Sequence, residues 1–518
     1  MEIFMKKSIS KAWSQYEAGL DYKRSLGLYE TIRRNERFYR GDQWYGSGTV
    51  DLPKPVFNVT RRIVDHLICV ILSGNVSINF TDESLPYARG DEVEHMRAAV
   101  EMLGKNAAYR WEQLGMDGKV YRLLRDAAIS GDGVIYCYWN PDIKNGQGFS
   151  GDIAAEIIDN VNLFVADVNK ADIQSQDYVI LSGRQSVGSL RDEARRFGVS
   201  EADAAMICAD GDTDGQSGDM AAYELRDAES EKATYIIKFW REDGRVVFEK
   251  SVRECVINRR KTDMTRYPVA YFNWYPTKNS FHGTSPISGM IPNQKFINRA
   301  FAMAMKHMTD TAFSKVIYDK TKIPEWSNEV GEAIAAVGGT NVSDAVSVVG
   351  VGEMQDGYLE LIEMAVTMTK EMMGATESAL GDGEATNTSA ILALQEASRL
   401  PLEQIRRNYY QCIEDMANIW VDMICAYYPD GRLLPFGESV ADVNISRIRH
   451  GLIRARVEVG EIARYSTAST LTMLNRLLDG GHITVSQYVS RLPSGIIGDK
   501  AKLLEELRER EGEVSVDG

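Results

Sequence analysis

Residues 283–308 read GTSPISGMIPNQKFINRAFAMAMKHM, a run whose apolar residues recur at helical spacing. Pro286 stands near the start, where a missing backbone N–H costs a helix nothing. Two apolar faces follow: Ile297, Phe301, Met305 and Met308 lie on one, and Phe296, Ala300 and Met303 lie on the other. A helix with two apolar faces needs neighbours on more than one side.

Residues 358–380 read YLELIEMAVTMTKEMMGATESAL and repeat this pattern. One stripe holds Leu359, Ile362, Val366 and Met373, and another holds Met364, Met368 and Met372. Methionine stripes are usually core, although some form adaptable recognition grooves. We favour packing between copies of the same helix, because a ring of subunits supplies a neighbour on both sides.

The segment between these two helices spans about 45 residues, a length more typical of a small module than of a connector. It contains the strand-like pieces KVIYD, residues 315–319, and AVSVVGVG, residues 345–352. Trp326 follows Pro324 and Glu325 in this polar surrounding. Such a tryptophan is either a local core plug or an anchor at an interface, and the sequence leaves both open.

The second helix is followed by GDGEATNTS, residues 381–389. This glycine-rich loop resembles a phosphate-binding loop, but no lysine precedes Thr388 and Ser389, so it fails as a nucleotide site. No Ser-His-Asp order, paired-carboxylate context or H-E-x-x-H motif rises above chance. The sequence therefore predicts a protein that is not an enzyme and has no cofactor.

Composition narrows the class of protein further. The chain has 518 residues, too many for one core, and its formal net charge is -15. This acidity argues against broad neutralisation of nucleic-acid phosphates. Six cysteines stand far apart without metal-ligand spacing, and the longest apolar run, LICVIL at 67–72, is too short to span a bilayer. We expect a chain that is neither secreted nor inserted in a membrane.

The remaining chain reads as mixed helices and strands, which predicts a predominantly helical α+β protein. In the first part of the chain the expected elements are a helix over 8–40, a long helical region that includes RRIVDHLICVIL (61–72) and the run 92–124, and strands from 131. They continue with a short helix at 189–198, a hairpin turning at Asp243-Gly244, a helix over 389–428 bent by Pro401, a strand at 444–458 and helices over 461–512.

One short motif suggests calcium. DGDTDG, residues 210–215, places Asp210, Asp212 and Asp214 at the first, third and fifth positions of an EF-hand loop. Position twelve is Ala221 instead of the bidentate glutamate, so an exposed acidic turn is the favoured interpretation and no metal is expected.

The order of these pieces resembles the portal proteins of tailed bacteriophages and their prophages. The matching stretches are FYRGDQW (38–44), VFNVTRRIVDHL (56–67), RDAAISGDGVIYCYWN (125–140), EIIDNVNLFVAD (156–167), DYVILSGRQSVGSLRDEA (177–194), IIKFWREDGRVVFEK (236–250), GTSPISGMIPNQKFIN (283–298) and ESALGDGEATNTSAILALQEASRLPLEQI (377–405). Each stretch is moderately specific, whereas their order along nearly the whole chain is highly so.

The resemblance implies a ring, generally of twelve subunits, at one capsid vertex of a virion assembled in the host bacterial cytoplasm. The implied divisions are a wing (1–283), a first stem helix (284–310), a clip (311–356), a second stem helix (357–380), a tunnel loop (381–388), a long bent helix with a returning wing strand (389–465), and a crown with a C-terminal tail (466–518).

The resemblance also implies partners and site residues. Double-stranded DNA passes the tunnel loop without sequence specificity, and the terminase motor, a head-tail adaptor, and the major capsid and scaffolding proteins bind the ring. The expected sites are Asp382, Gly383, Glu384, Thr386 and Asn387 for the tunnel loop; Lys322, Glu325 and Trp326 for docking; and Ile297, Phe301, Met305, Ile362, Val366 and Met373 for stem packing. The alternatives are an adaptor or scaffold without a channel and, more distantly, a DNA-processing hydrolase.

Overall fold

The protein is described from a computed structural model. The described residues are 10–48, 51–87, 91–144, 148–210, 231–311, 315–327, 334–337, 341, 345–349, 357–375, 400–429, 431–436, 439–441, 448, 452–460, 471, 474–492, 503 and 507. Statements about the structure below refer to these residues.

The helices are α1 (Lys11–Ser25), α2 (Leu28–Arg40), α3 (Val59–Ile71), α4 (Asp91–Gln113), α5 (Met116–Ser130), α6 (Val187–Arg196), α7 (Glu201–Ala205), α8 (Pro286–Thr311), α9 (Gly357–Met372), α10 (Glu403–Tyr427) and α11 (Val485–Arg491). The strands are β1 (Asn75–Asp82), β2 (Asp132–Lys144), β3 (Ser150–Ile158), β4 (Leu163–Val165), β5 (Tyr178–Ser186), β6 (Lys232–Glu242), β7 (Arg245–Ser251), β8 (Val256–Lys261), β9 (Val269–Asn273), β10 (Lys315–Tyr318), β11 (Val346–Val349), β12 (Leu434–Phe436), β13 (Ser439–Ala441) and β14 (Ile453–Gly460). The predicted α+β class is confirmed.

Two antiparallel sheets form the centre of the strand-rich part. One has the strand order β3-β2-β9, and the other has the order β4-β5-β6-β7-β8. Asp243 and Gly244 join β6 to β7 with φ values of 53° and 75°, as the type I′ turn of a tight hairpin requires. The predicted hairpin is therefore confirmed. Helix α10 packs on β2 and β9, so one core connects the sheet with the helices.

Two predicted helical regions are wrong in detail. The single helix expected over 8–40 is two helices, because Gly27 adopts a left-handed conformation with φ of 63°. The run expected over 92–124 also breaks, at Gly115, whose φ is 58°. Glycine takes such conformations at little cost, so each position ends one helix and starts another. Between α3 and α4 the chain also forms β1, which the expected helical region did not contain.

Pro401 does not bend a continuous helix within the described residues. It lies in a 3-10 turn, Leu400–Leu402, immediately before α10 begins at Glu403. Proline is tolerated just before or in the first turn of a helix, where its missing N–H has no intrahelical partner to lose. Residues 389–399 lie outside the described part. The expected strand at 444–458 is observed as β14, which starts later, at Ile453.

The start of α8 is held by a buried carboxylate. Asp132, at the beginning of β2, is 1% exposed. Its Oδ1 accepts hydrogen bonds from the backbone N–H of Gly283 at 2.7 Å and from Asn273 Nδ2 at 3.0 Å, and its Oδ2 lies 2.7 Å from His282 Nδ1. Asn160 Nδ2 also donates to Oδ2, at 3.1 Å. One side chain thus ties together two strands, a loop and the segment that leads into α8.

A second buried charge lies nearby. The Lys23 ammonium on α1 donates to the backbone carbonyls of Asn160, Val161 and Leu163 at 2.6–2.8 Å. Burial lowers the pKa of Lys23 to about 7, while the carboxylates of Asp159 and Asp132 act in the opposite direction. Three carbonyl acceptors match the three N–H donors of an ammonium, and this geometry favours the charged form.

Asp132→Asn is expected to lower the free energy of unfolding by about 2–4 kcal/mol, because the amide offers one acceptor oxygen where four donors converge. Asp142→Asn is the matched control, because Asp142 is exposed on the same strand. Chemical denaturation of both variants measures the difference. Equal midpoints for the two variants would show that the Asp132 network does not support the fold.

Asp126 makes folding stability depend on pH. Burial raises its pKa to about 7, and Asp159 and Glu36 add to the shift. Because the folded pKa lies above the unfolded value of about 3.9, stability present at low pH is lost as the pH rises through 7. We expect the free energy of unfolding of wild type to fall by about 1–2 kcal/mol between pH 5.5 and pH 8.5, and Asp126→Asn to abolish this fall. Thermal unfolding at both pH values measures this; parallel pH profiles for wild type and variant would contradict it.

Candidate functional site

The first turns of α8 are fixed to the rest of the subunit by polar contacts. Ser285 Oγ donates to the carbonyl of Ala128 and accepts from the N–H of Ile287, so it caps the helix. About two turns further, Gln294 Oε1 accepts from both the N–H and the hydroxyl of Thr60 at 3.1 Å. The predicted start at Pro286 is confirmed, and the helix leaves the core in a defined direction.

Helices α8 and α9 form an antiparallel pair. Near the start of α8, a Cβ built on Gly289 would lie 3.8 Å from Cε of Met373, at the end of α9. Further along, the hydroxyl of Tyr358, at the start of α9, lies 3.6 Å from Sδ of Met303. The contact at each end places the two helices side by side, with the 315–349 segment at their far end.

The side chains expected to pack in this pair differ in burial. Ile297 and Ile362 are buried, at 0% and 3% exposed. Phe301 is half-buried against Phe57, with ring centroids 4.3 Å apart. The other three positions are Val366 and Met373, which are half-buried, and Met305, which is exposed. The pair therefore buries only part of its apolar surface within one subunit.

The remaining apolar side chains of the pair face outward. Those more than 40% exposed are Phe296, Met303, Met305 and Met308 on α8, and Leu359, Leu361, Met364, Met368 and Met372 on α9. On α9 the three methionines recur every four residues and share one face. Soluble monomers rarely expose this many large apolar side chains on one pair of helices, so the pair is a candidate interaction site.

The segment between the two helices contains a small antiparallel hairpin. Strands β10 and β11 pair from Lys315 with Val349 to Tyr318 with Val346. The N–H of Asp319 donates to the carbonyl of Ala345 and continues this contact. Ile323, 2% exposed, provides a buried apolar centre. Ala345, 3% exposed, is also buried in this part of the segment.

Trp326 lies on this hairpin. Its ring stacks on Tyr318, with centroids 5.2 Å apart and an interplanar angle of 22°. The tryptophan is half-buried, Glu325 is exposed, and the Lys322 ammonium lies 3.9 Å from a carboxylate oxygen of Asp319. One face of the indole packs locally while part of the ring remains accessible. The structure thus brings the three expected docking residues onto one small module.

The predicted loop site lies outside the described part of the chain. Its residues are Asp382, Gly383, Glu384, Thr386 and Asn387. Two residues of the calcium motif, Asp212 and Asp214, also lie outside them. Asp210 is described, and its carboxylate accepts from Arg184 Nη1 at 2.5 Å and from the N–H of Thr234 at 2.8 Å. This carboxylate is used within the fold, and no cluster of metal-ligating side chains occurs among the described residues.

Sequence reasoning missed two features. The Asp132 network joins residues up to 151 positions apart, which no local pattern reveals. A groove between β1 and α4 was also missed, because β1 itself was not predicted. Alternation in NVSINFTD, residues 75–82, is the signal that could have found the strand. No helix in the described part is long and apolar enough to cross a membrane.

Comparison with known protein families identifies the family to which this chain belongs. The family model described as "Phage P22-like portal protein" matches residues 14–436. The chain belongs to this family of phage portal proteins. The match begins in α1, includes the α8–α9 pair and the loop after it, and ends in β12. No curated protein matches the chain.

Family membership supplies the general function. A portal protein is a ring-forming component of the capsid vertex and provides the channel for DNA. The resemblance drawn from the order of the sequence stretches is therefore confirmed. Residues 437–518, which include β14 and α11, lie beyond the match.

Replacing Met364 and Met368 together by glutamate is expected to prevent ring assembly, because burial of two new carboxylates between subunits would cost more than the lost apolar contact. Both side chains are more than half exposed in the subunit, so its thermal midpoint should stay within a few degrees of wild type. Sedimentation velocity measures assembly. Glu360→Gln with Glu371→Gln is the control on the same helix, and rings of normal stability from the glutamate variant would contradict the interface.

Proposed function

We propose that this portal protein forms a ring of twelve subunits through which double-stranded DNA is packaged and later ejected without sequence specificity. The α8–α9 pair is the stem, the 311–356 segment is the clip, and residues 381–388 are the tunnel loop. The apolar outer faces of α8 and α9 support this proposal most directly. In a head-to-tail ring, one apolar face of each subunit packs against the next subunit, and its other apolar face packs against the previous one.

The clip docks the proteins that act at this end of the portal. The terminase motor binds it during packaging, and a head-tail adaptor replaces the motor afterwards. Trp326 supports this role, because a half-buried aromatic ring held by a stacked neighbour needs little further ordering on binding. The major capsid and scaffolding proteins contact other surfaces during assembly in the host bacterial cytoplasm.

The tunnel loop faces passing DNA and repels it weakly. A ring repeats Asp382 and Glu384 in every subunit, which makes a belt of carboxylates at the constriction. At physiological salt such repulsion extends only about 8 Å, so it acts where the channel is narrowest. Weak contact suits translocation, because a strong grip on phosphate would have to be broken at each step.

Trp326→Ala is expected to weaken adaptor binding by about tenfold or more and to leave the ring intact, because an anchor loses its contact area on truncation. Binding of purified adaptor to preformed rings measures the effect. Trp326→Phe is the matched control and should retain most of the affinity. If Trp326→Ala dissolved the ring or unfolded the clip, the tryptophan would be a core residue instead of an anchor.

Replacing Asp382 and Glu384 by lysine is expected to shorten the packaged DNA in each particle, because a cationic belt grips phosphate. The effect should weaken as salt increases. Replacement of both residues by asparagine should be much milder, and both variants should assemble rings. DNA length extracted from particles measures packaging. Packaging by the lysine variant equal to that of wild type would show that the loop does not approach DNA.

A further inference from the structure

The ring of Phe57 lies on the side of α8 that faces away from α9. Its centroid is 4.3 Å from that of Phe301, whereas Tyr358 of α9 contacts Met303 on the same helix. Residues two positions apart are about 200° apart around a helix axis, so Phe301 and Met303 face opposite sides of α8. Phe57 and α9 therefore cover α8 from opposite sides.

Two methionines of α9 lie at the other edge of this layer. Tyr358 and Met373, which lie against α8, are within about 40° of the buried Ile362 around the axis of α9. Met364 is about 200° and Met368 about 240° from Ile362. Both side chains therefore point away from α8, and they form the methionine edge of the layer.

Both edges expose apolar side chains. Phe57 is 50% exposed although it packs on Phe301, and Val56 beside it is also exposed; these two residues form the Phe57 edge. At the methionine edge, Met364 and Met368 are each more than half exposed. A methionine sulfur and an aromatic ring attract each other, and a methionine side chain adapts to the shape of its neighbour. The two edges are therefore different and complementary.

The charges beside the two edges have opposite signs. Lys54, Arg61 and Arg62 are exposed near Phe57, and the sequence from Lys54 to Arg62 contains no acidic residue. Arg61 lies 3.5 Å from a carboxylate oxygen of Asp65, but an exposed pair of this kind exchanges at little cost. On α9 the exposed charged residues are all glutamates, and the one lysine is half-buried. Charges at the rim of an interface favour one orientation without adding much binding energy.

We propose that the methionine edge of one subunit packs against the Phe57 edge of the next subunit, so that Met364 and Met368 contact the exposed face of Phe57. The inference rests on the ring proposed above and names the two surfaces that meet in it. A head-to-tail ring needs two different, complementary surfaces on each subunit. These two lie at opposite edges of one layer, so each subunit can contact a neighbour on both sides.

Pairing between like edges is disfavoured. Two Phe57 edges would bring the basic residues of both subunits together, and two methionine edges would bring together the glutamates of two α9 helices. Like charges placed against each other reduce the affinity of an unwanted contact. A two-fold dimer needs such self-pairing, whereas a ring needs the unlike contact. The charges therefore favour the ring over a closed dimer.

Cross-linking of introduced cysteines tests which edges meet. All variants carry Cys69→Ser and Cys208→Ser, which remove the two exposed thiols of the chain. Phe57→Cys with Met364→Cys should then give, with a short bismaleimide, a ladder of covalent products up to the complete ring. Tyr87→Cys with Met364→Cys is the matched control and should give no ladder, because Tyr87 is 85% exposed and belongs to neither edge. Covalent dimers from Met364→Cys alone would show that like edges meet and would overturn the proposal.

A double-mutant cycle tests the same contact without a reactive group. Phe57→Leu and Met364→Leu keep an apolar side chain but remove the aromatic ring and the sulfur. Each should raise the subunit concentration needed for half-maximal ring assembly by about threefold. The double variant should lose little more, because both substitutions remove the same contact. Thermal midpoints of the unassembled subunits control for folding, since Phe57 also packs on Phe301.

The outcomes separate this contact from the ring itself. Losses that multiply to about ninefold in the double variant would show that the two side chains do not touch. If wild type forms rings but the Phe57→Cys, Met364→Cys variant gives no ladder, the edge contact is wrong while the portal ring stands. If wild type forms no ring, the proposed function itself fails.

Discussion

The buried carboxylate of Asp132 is the contact on which the arrangement of the subunit depends. A desolvated charge is tolerable only when hydrogen-bond donors surround it, and here the donors come from β9, from the turn before β4 and from the chain entering α8. Gly131 is needed beside it, because a Cβ there would lie 2.5 Å from the carbonyl oxygen of Gly283. The direction in which α8 leaves the core is therefore set by polar contacts, not by apolar packing alone.

Helix α8 is fixed to the core at its start and still has exposed apolar side chains further along. Near its start, α8 buries Ile287 and Met290 and makes the polar contacts described above. Near its end, Met308 is 58% exposed. On α9, Ile362 is buried, whereas Met372, at the end that lies beside the start of α8, is 80% exposed. The α8–α9 pair is thus anchored to the rest of the subunit while it exposes apolar side chains to solvent.

The sequence correctly predicted those features of the fold that a few neighbouring residues determine by themselves. Pro286 and the Asp243-Gly244 turn are such cases, since proline and a turn dipeptide restrict the backbone by themselves. The breaks at Gly27 and Gly115 were missed because isolated glycines also occur inside helices. Strand β1 exists because β14, nearly 380 residues later, pairs with it. Asp132 likewise gains its role from distant partners, which periodicity cannot reveal.

We propose that the exposed faces of α8 and α9 close a ring of portal subunits. An electron cryomicroscopy reconstruction of the purified chain tests it most directly. We expect a ring with a central hole, in which Met364 and Met368 of each subunit are buried against the adjacent α8–α9 pair. Compact monomers, or a ring in which these side chains remain in solvent, would contradict it.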